Sequence, residues 1–220
     1  MNRKVKKIIE NKKNLAENEV KDLLQEYNIK TTNYKVIFDE SDLDGLDLSF
    51  PVALKVCSGE ILHKTDVDGV KLNISSEEEL REHVKDFKKR FPKENLLVDE
   101  MVESGVEVII GLIQDPTFGL SIMVGVGGIY TELYQDVSFR VVPIDDYDAH
   151  EMIEEVKGKK LLEGFRNIKA DKQKVIDLLM KVSKLGDDLI EHLDQMDLNP
   201  VFIYKDDYCV VDAKMILKGE

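Results

Sequence analysis

The sequence predicts an α+β fold in two lobes. Three observations lead there. Strand-length apolar runs and amphipathic helices follow one another without the regular alternation of a βαβ array, no internal repeat or low-complexity linker interrupts them, and a stretch over Glu100–Gly105 divides them into two groups. The expected organisation is an N-terminal helical segment over residues 1–34, a first lobe over 35–100 and a second over 101–220.

Met1 to Lys13 holds six basic residues against one Glu, with Val5, Ile8 and Ile9 at helical spacing, which predicts a solvated amphipathic helix. Asn14 and Glu17 have the spacing of a capping box, and Val20, Leu23, Leu24 and Tyr27 form an apolar stripe. A second helix should therefore run to about Asn28 and pack on the lobe that follows. Phe50–Val56 and Val70–Ile74 read as strands joined by the loop Ser58–Gly69, which is long for a hairpin connection, and such loops are commonly functional. Ser75 with Glu78 caps a helix whose apolar face is Leu80, Val84, Phe87 and Phe91 and which Pro92 ends. Leu96–Val98 and Val106–Leu112 are the next strands.

Leu120–Val124, a turn at Gly125, Val126, Gly127 and Gly128, and Val137–Ile144 continue the second lobe. Ile129 to Tyr134 reads as strand, so these glycines do not open a helix and make no dinucleotide fingerprint. Asp145 with Asp148 caps a helix through Glu155, and Val175, Leu178, Leu179, Val182, Leu185 and Leu189 are the stripe of a longer one. Two strands, Leu198–Tyr204 and Tyr208–Leu217, complete the lobe.

Composition narrows the function. A net charge of -13, from 31 basic and 44 acidic residues, argues against nucleic-acid binding, which relies on neutralising phosphates. The longest uncharged run, Pro116 to Thr131, is too short and too glycine-rich to span a bilayer, so the expected place is the cytoplasm with no membrane contact. Cys57 and Cys209 each lie in a strand-like run, which fits buried thiols rather than a disulfide framework or zinc site.

The chemistry concentrates in two places. Lys55 ends a buried strand just before a loop carrying glycines and His63. A lysine there can neutralise phosphate, glycines admit backbone amides to it, and an imidazole can accept a phosphoryl group, although a loop histidine that merely hydrogen-bonds has the same appearance. In the last hairpin, a turn centred on Lys205 and Asp206 pairs positions whose numbers add to 411, setting Asn199 opposite Asp212 and Asp197 opposite Lys214. An amide oxygen and a carboxylate about 5 Å apart can share one hard cation such as Mg²⁺; an ordinary edge hairpin with polar outer positions is the alternative.

The segments Phe50–Lys55, Ile61–Asp66, Val106–Gly111, Val137–Ile144 and Asp197–Pro200 together resemble, in order, the ATP-grasp subunit of the NDP-forming acyl-CoA synthetases, the ADP-forming acetate:CoA ligases, over roughly Leu15 to Lys218. That family is similar to succinyl-CoA synthetase. The resemblance implies an ATP-grasp fold in which two α+β lobes clamp Mg-nucleotide, ATP or ADP. It further implies that Lys55 contacts nucleotide phosphates, that Glu100 and Met101 form the hinge around adenine, and that Glu107 reaches the ribose hydroxyls. Asn199 and Asp212 would bind Mg²⁺, the pair that spacing had already selected. His63 resembles the family's phosphate-carrying histidine, with Asp197 orienting it and Lys64 and Arg140 as charge clamps. Lys64 and Arg140 equally suit surface salt bridges, Glu100 and Glu107 a solvated strand face, and Met101 core packing.

The chain shows no CoA-binding Rossmann domain, so the resemblance implies a separate CoA-binding α subunit with its own histidine, in an α2β2 assembly. A stand-alone ATP-grasp carboxylate ligase and a nucleotide-sensing subunit are the alternatives. One departure stands out: Asp68 lies where the family is expected to have glycine, which would place a carboxylate close to the phosphates.

Overall fold

The computed structural model describes residues 3–61, 63–127, 135–164 and 170–219. In chain order these form α1 (Arg3–Ile9), β1 (Asn14–Leu15), α2 (Glu17–Glu26), β2 (Tyr34–Ile37), β3 (Val52–Cys57), β4 (Val70–Ile74), α3 (Glu77–Arg90), β5 (Asn95–Glu100), β6 (Val106–Asp115), β7 (Gly119–Val126), β8 (Val137–Val141), α4 (Asp146–Glu155), α5 (Lys172–Asp188), β9 (Leu193–Ile203), β10 (Tyr208–Val210) and β11 (Ala213–Leu217). The strands make two antiparallel sheets. The smaller has the order β2-β5-β3-β4; the larger runs β1-β11-β9-β6-β7-β8, with β10 also on β9. Gly128 and the run Ile129 to Tyr134, read as turn and strand, lie outside the described residues.

Each sheet has its own core. Leu80, Val84 and Phe87, one face of α3, close over Val52, Leu54, Val56, Leu96 and Val98 of the small sheet. The stripe of α5 is buried against Ile110, Leu112, Ile122, Val124 and Leu198 of the large one. Burying each such side chain contributes about 1.5–3 kcal/mol, which is why the apolar stripes locate these helices so well.

The N-terminal helices depart from expectation. Val5, Ile9, Val20, Leu23 and Leu24 belong to the core of the large sheet, not to the lobe that follows them. The cause is β1, which pairs with β11 (Leu15 opposite Met215) and draws α2 onto the C-terminal strands. Nor do Asn14 and Glu17 cap α2. Ala16 is the N-cap, its amide donating to Glu19 Oε2 at 2.9 Å, because Asn14 is committed to β1 and Glu17 turns inward. Helix α3 starts one residue later than predicted, on Ser76, whose hydroxyl accepts from the Glu79 amide at 3.2 Å. Asp145 caps α4 with Asp148 as read.

The last predicted strand is divided, with Val211 and Asp212 between β10 and β11. Opposite Val211 stands Pro200, which has no N–H to give: the Val211 amide donates to Pro200 O at 3.0 Å, but nothing in the ladder answers the Val211 carbonyl. The register survives the break. Tyr208 faces Ile203, Ala213 faces Leu198 and Lys214 faces Asp197, all on the pairing read from the turn.

Candidate active site

The two sheets enclose a cavity of about 540 Å³, lined by residues of both lobes. Of the residues singled out in the sequence, Lys55, His63, Lys64, Glu100, Met101, Asp197, Asn199 and Asp212 all line it. Alternation along the strands accounts for much of this. Asp197 and Asn199 are two apart on β9 and share one face, and the Asn199 amide donates to Asp212 O at 3.2 Å, so the two metal-type ligands are cross-strand neighbours.

At the base of the cavity lies a buried charge cluster. Lys55 Nζ meets Glu17 Oε1 at 2.6 Å and Asp99 Oδ2 at 2.9 Å, donates to the Val211 carbonyl at 3.2 Å, and lies 3.6 Å from Asp212 Oδ1. The ladder acceptor left over by Pro200 is thus used to hold this lysine. Lys64 bonds both Glu17 Oε2 and Asp212 Oδ1, the latter at 2.8 Å. Behind them the wholly buried Lys21 bridges Asp99 Oδ2 at 2.6 Å, Glu17 Oε1 at 3.2 Å and Thr32 Oγ1 at 2.7 Å. Three ammonium groups therefore face three carboxylates.

Burial alone would raise the Glu17 carboxyl, but Lys55, Lys21 and Lys64 together outweigh it and hold it well below the usual carboxylate range. Burial would likewise lower the Lys55 and Lys64 ammonium groups; Glu17 and Asp212 reverse that and keep both firmly protonated. Asp212 moves the opposite way, raised by burial and then by the neighbouring Glu17 charge.

Glu17, read in the sequence only as a capping residue, and Lys21 and Asp99 were not assigned to the site. A signal was present, since Glu17, Val20, Lys21 and Leu24 follow the i, i+3, i+4, i+7 pattern. Two charged residues therefore share a buried helix face, an arrangement rarely found without partners.

Arg140 does not join the cluster. Through the pairings Arg140–Ile122 and Ile122–Leu112 it shares the core face of the large sheet, whereas its neighbour Phe139 shares, through Met123 and Gly111, the face of Asp197. Arg140 instead grips Glu155 of α4 with both nitrogens, at 2.7 and 3.0 Å. Glu107 is exposed on β6, directly opposite the cavity residue Phe202, but is not itself in the wall. The Glu100 carboxylate is taken by the Ser49 amide at 2.6 Å and by Asn33 at 2.7 Å, and the Met101 amide donates to Pro51 O at 3.1 Å, so both are tied to the small lobe at the end of β5, where the chain leaves for the large sheet.

Asp68 sits in the left-handed region at φ 50°, at the end of the short 3-10 turn Thr65–Val67. That conformation suits glycine and is tolerated by Asp. Its side chain is exposed and outside the cavity wall, so it places no carboxylate among the cavity-lining residues, contrary to the expectation.

Among the described residues no group of three or more His, Cys, Asp or Glu side chains forms a metal cluster. A carboxylate in the break between β10 and β11 and an amide oxygen opposite it on β9 nevertheless fit Mg²⁺, which takes one or two protein oxygens and completes its shell with water and substrate phosphates.

Two lobes closing on a lysine-lined cleft define an ATP-grasp domain, and the sequence profile of that domain matches residues 6–217. Comparison with characterised proteins narrows this further. The chain is 41% identical to the β subunit of acetate–CoA ligase (ADP-forming) II of Pyrococcus furiosus, over 93% of this chain and 92% of that one. It is 42% identical to acetate–CoA ligase (ADP-forming) II of Archaeoglobus fulgidus, covering 92% of this chain but only 30% of that longer protein. Among solved structures, the acetyl-coenzyme A synthetase 1 of Korarchaeum cryptofilum superposes with a TM-score of 0.81 at 42% identity, over 94% of each chain. That structure holds coenzyme A and Mg-AMPPCP, with a phosphohistidine segment pointing towards the nucleotide-binding site. The chain belongs to the ATP-grasp β subunits of the ADP-forming acetate–CoA ligases. No helix among the described residues is long and apolar enough to cross a membrane.

Proposed function

We propose that this chain is the nucleotide-binding subunit of an ADP-forming acyl-CoA ligase that works, in the cytoplasm, with a separate CoA-binding α subunit in an α2β2 assembly. The observation that carries the reading is the convergence of Lys55, Lys64, His63, Asp197, Asn199 and Asp212 on one interlobe cavity. The reaction joins acyl-CoA, ADP and phosphate to give the free acid, CoA and ATP. Phosphate first displaces CoA from the acyl-CoA, a C–O bond forming as the C–S bond breaks, to give the acyl phosphate. The phosphoryl group then passes to a histidine of the α subunit, releasing the free acid, and on to His63 and to ADP. In each phosphoryl transfer one P–O or P–N bond breaks as another forms, with the imidazole nitrogen as nucleophile and then as leaving group.

His63 suits this role because it lies on the exposed loop at the cavity, accessible from outside and from the nucleotide side. Lys55 and Lys64, held protonated by Glu17, meet the charge of the phosphates, and Asp197 orients the histidine. Asn199 and Asp212 would hold Mg²⁺, which neutralises nucleotide phosphates when bound. Glu100 and Met101, at the crossing between the sheets, form the adenine hinge, and Glu107 reaches the ribose from the rim. The Arg140 ion pair with Glu155 leaves it no clamp role in this arrangement.

The test is to incubate the chain with Mg²⁺ and γ-labelled ATP, with and without the α subunit, and to map acid-labile phosphate. Label on His63 that His63→Ala abolishes, with folding intact, is the expected result. Bound nucleotide without label in either mixture would overturn the histidine route.

A further inference from the structure

Lys21 does not line the cavity, yet it is the wholly buried member of the charge cluster and one of the groups whose ion pairs join the lobes. It projects from α2, whose apolar face belongs to the core of the large sheet, and its ammonium reaches Asp99 on β5 of the small sheet at 2.6 Å. Its other carboxylate partner, Glu17, sits one turn earlier on the same helix and is the group that binds both Lys55 and Lys64.

We propose that Lys21 is a positioning residue for the nucleotide phosphates: by neutralising Glu17 and Asp99 from behind, it leaves the charges of Lys55 and Lys64 available to the ligand and fixes the two lobes at the spacing that lets both lysines face one cavity. This rests on the reading of the cavity as a nucleotide site. The argument is one of charge. With Lys21 present, three ammonium groups balance three carboxylates. Without it, Glu17, Asp99 and Asp212 exceed Lys55 and Lys64 by one negative charge, and because Glu17 and Asp99 are shut from solvent an arriving polyphosphate feels it strongly. The effect falls on phosphate recognition and leaves recognition of the adenine and ribose alone.

The test compares Mg-ADP with adenosine as ligands, by calorimetry on the folded chain with its α subunit, for the unaltered protein, Lys21→Gln, Lys21→Met and the double variant Lys21→Gln/Asp99→Asn. The expected result is that either single variant weakens Mg-ADP by about tenfold or more while adenosine binding stays put. The double variant, in which charge is again balanced, should recover most of the loss. Equal weakening of both ligands, or of neither, in whichever single variant folds would reduce Lys21 to a packing role and overturn the proposal. Failure of the unaltered protein to bind Mg-ADP would instead overturn the nucleotide-site reading.

Discussion

Lys55, on the small sheet at the lobe junction, and Arg140, on the helix-covered face of the large sheet, both grip carboxylates, in different surroundings. Lys55, Glu17, Lys21 and Asp99 are 0–6% exposed, with Lys64 and Asp212 on the cavity side at 14% and 37%, and every charge has partners across the lobe junction. Arg140 and Glu155 form a well-shaped two-point pair, but at 27% and 48% exposure water competes with it. The same chemistry is therefore indispensable in one place and dispensable in the other. Removing one member of a buried set strands the rest without solvent, whereas a surface pair is replaced by hydration.

Glu17→Ala should have the largest effect, because it leaves Lys21, Lys55 and Lys64 facing two carboxylates; a loss of about 3–5 kcal/mol in denaturant unfolding is expected. A loss below 1 kcal/mol would mean that water enters the cluster freely. Gly105→Ala asks how far packing rather than charge fixes the junction. A Cβ there would stand 2.6 Å from the Ile203 carbonyl oxygen, an overlap with backbone that should cost about 1–3 kcal/mol, measured the same way. Arg140→Ala should cost only about 0.2–1 kcal/mol and less in high salt. Its pH signature has a definite sign. Glu155 is held down to about 2 by its hydrogen bonds from Arg140 and Ser138, so its contribution is present above the ordinary carboxylate range and is lost as pH falls towards 2. Acid titration of Arg140→Ala followed by NMR should return the Glu155 carboxyl towards its ordinary value.

The contrast also separates what was legible in the sequence from what was not. The Asn199–Asp212 pairing could be read because a strand repeats every two residues and one short turn fixes the register. Lys55 could be read because it lies near the end of a buried strand, and His63 and Lys64 because they lie in the long loop that follows it. Arg140 was misplaced by a single step of the same alternation, since the side of β8 that faces the helices depends on neighbours far away in sequence. Glu17 was read as a cap, as its spacing from Asn14 allows, and the pairing of Asn14 with Ile216 that overrides this is invisible locally. Lys21 and Asp99 meet only once the lobes are assembled, across 78 positions of chain.

The pairing of β1 with β11 has a consequence for how the molecule forms. The small sheet is made wholly from residues 34–100, a continuous stretch, whereas the large sheet is finished only when residues 14–15 meet 215–216. Closing so long a loop is the slower search, and it gains nothing until both ends are in place. The small lobe should therefore acquire protection from hydrogen exchange before the N-terminal strand does, and Glu17, two residues after β1, should reach Lys55 among the last contacts made. In that order of assembly the cavity between the sheets is completed by the pairing of β1 with β11.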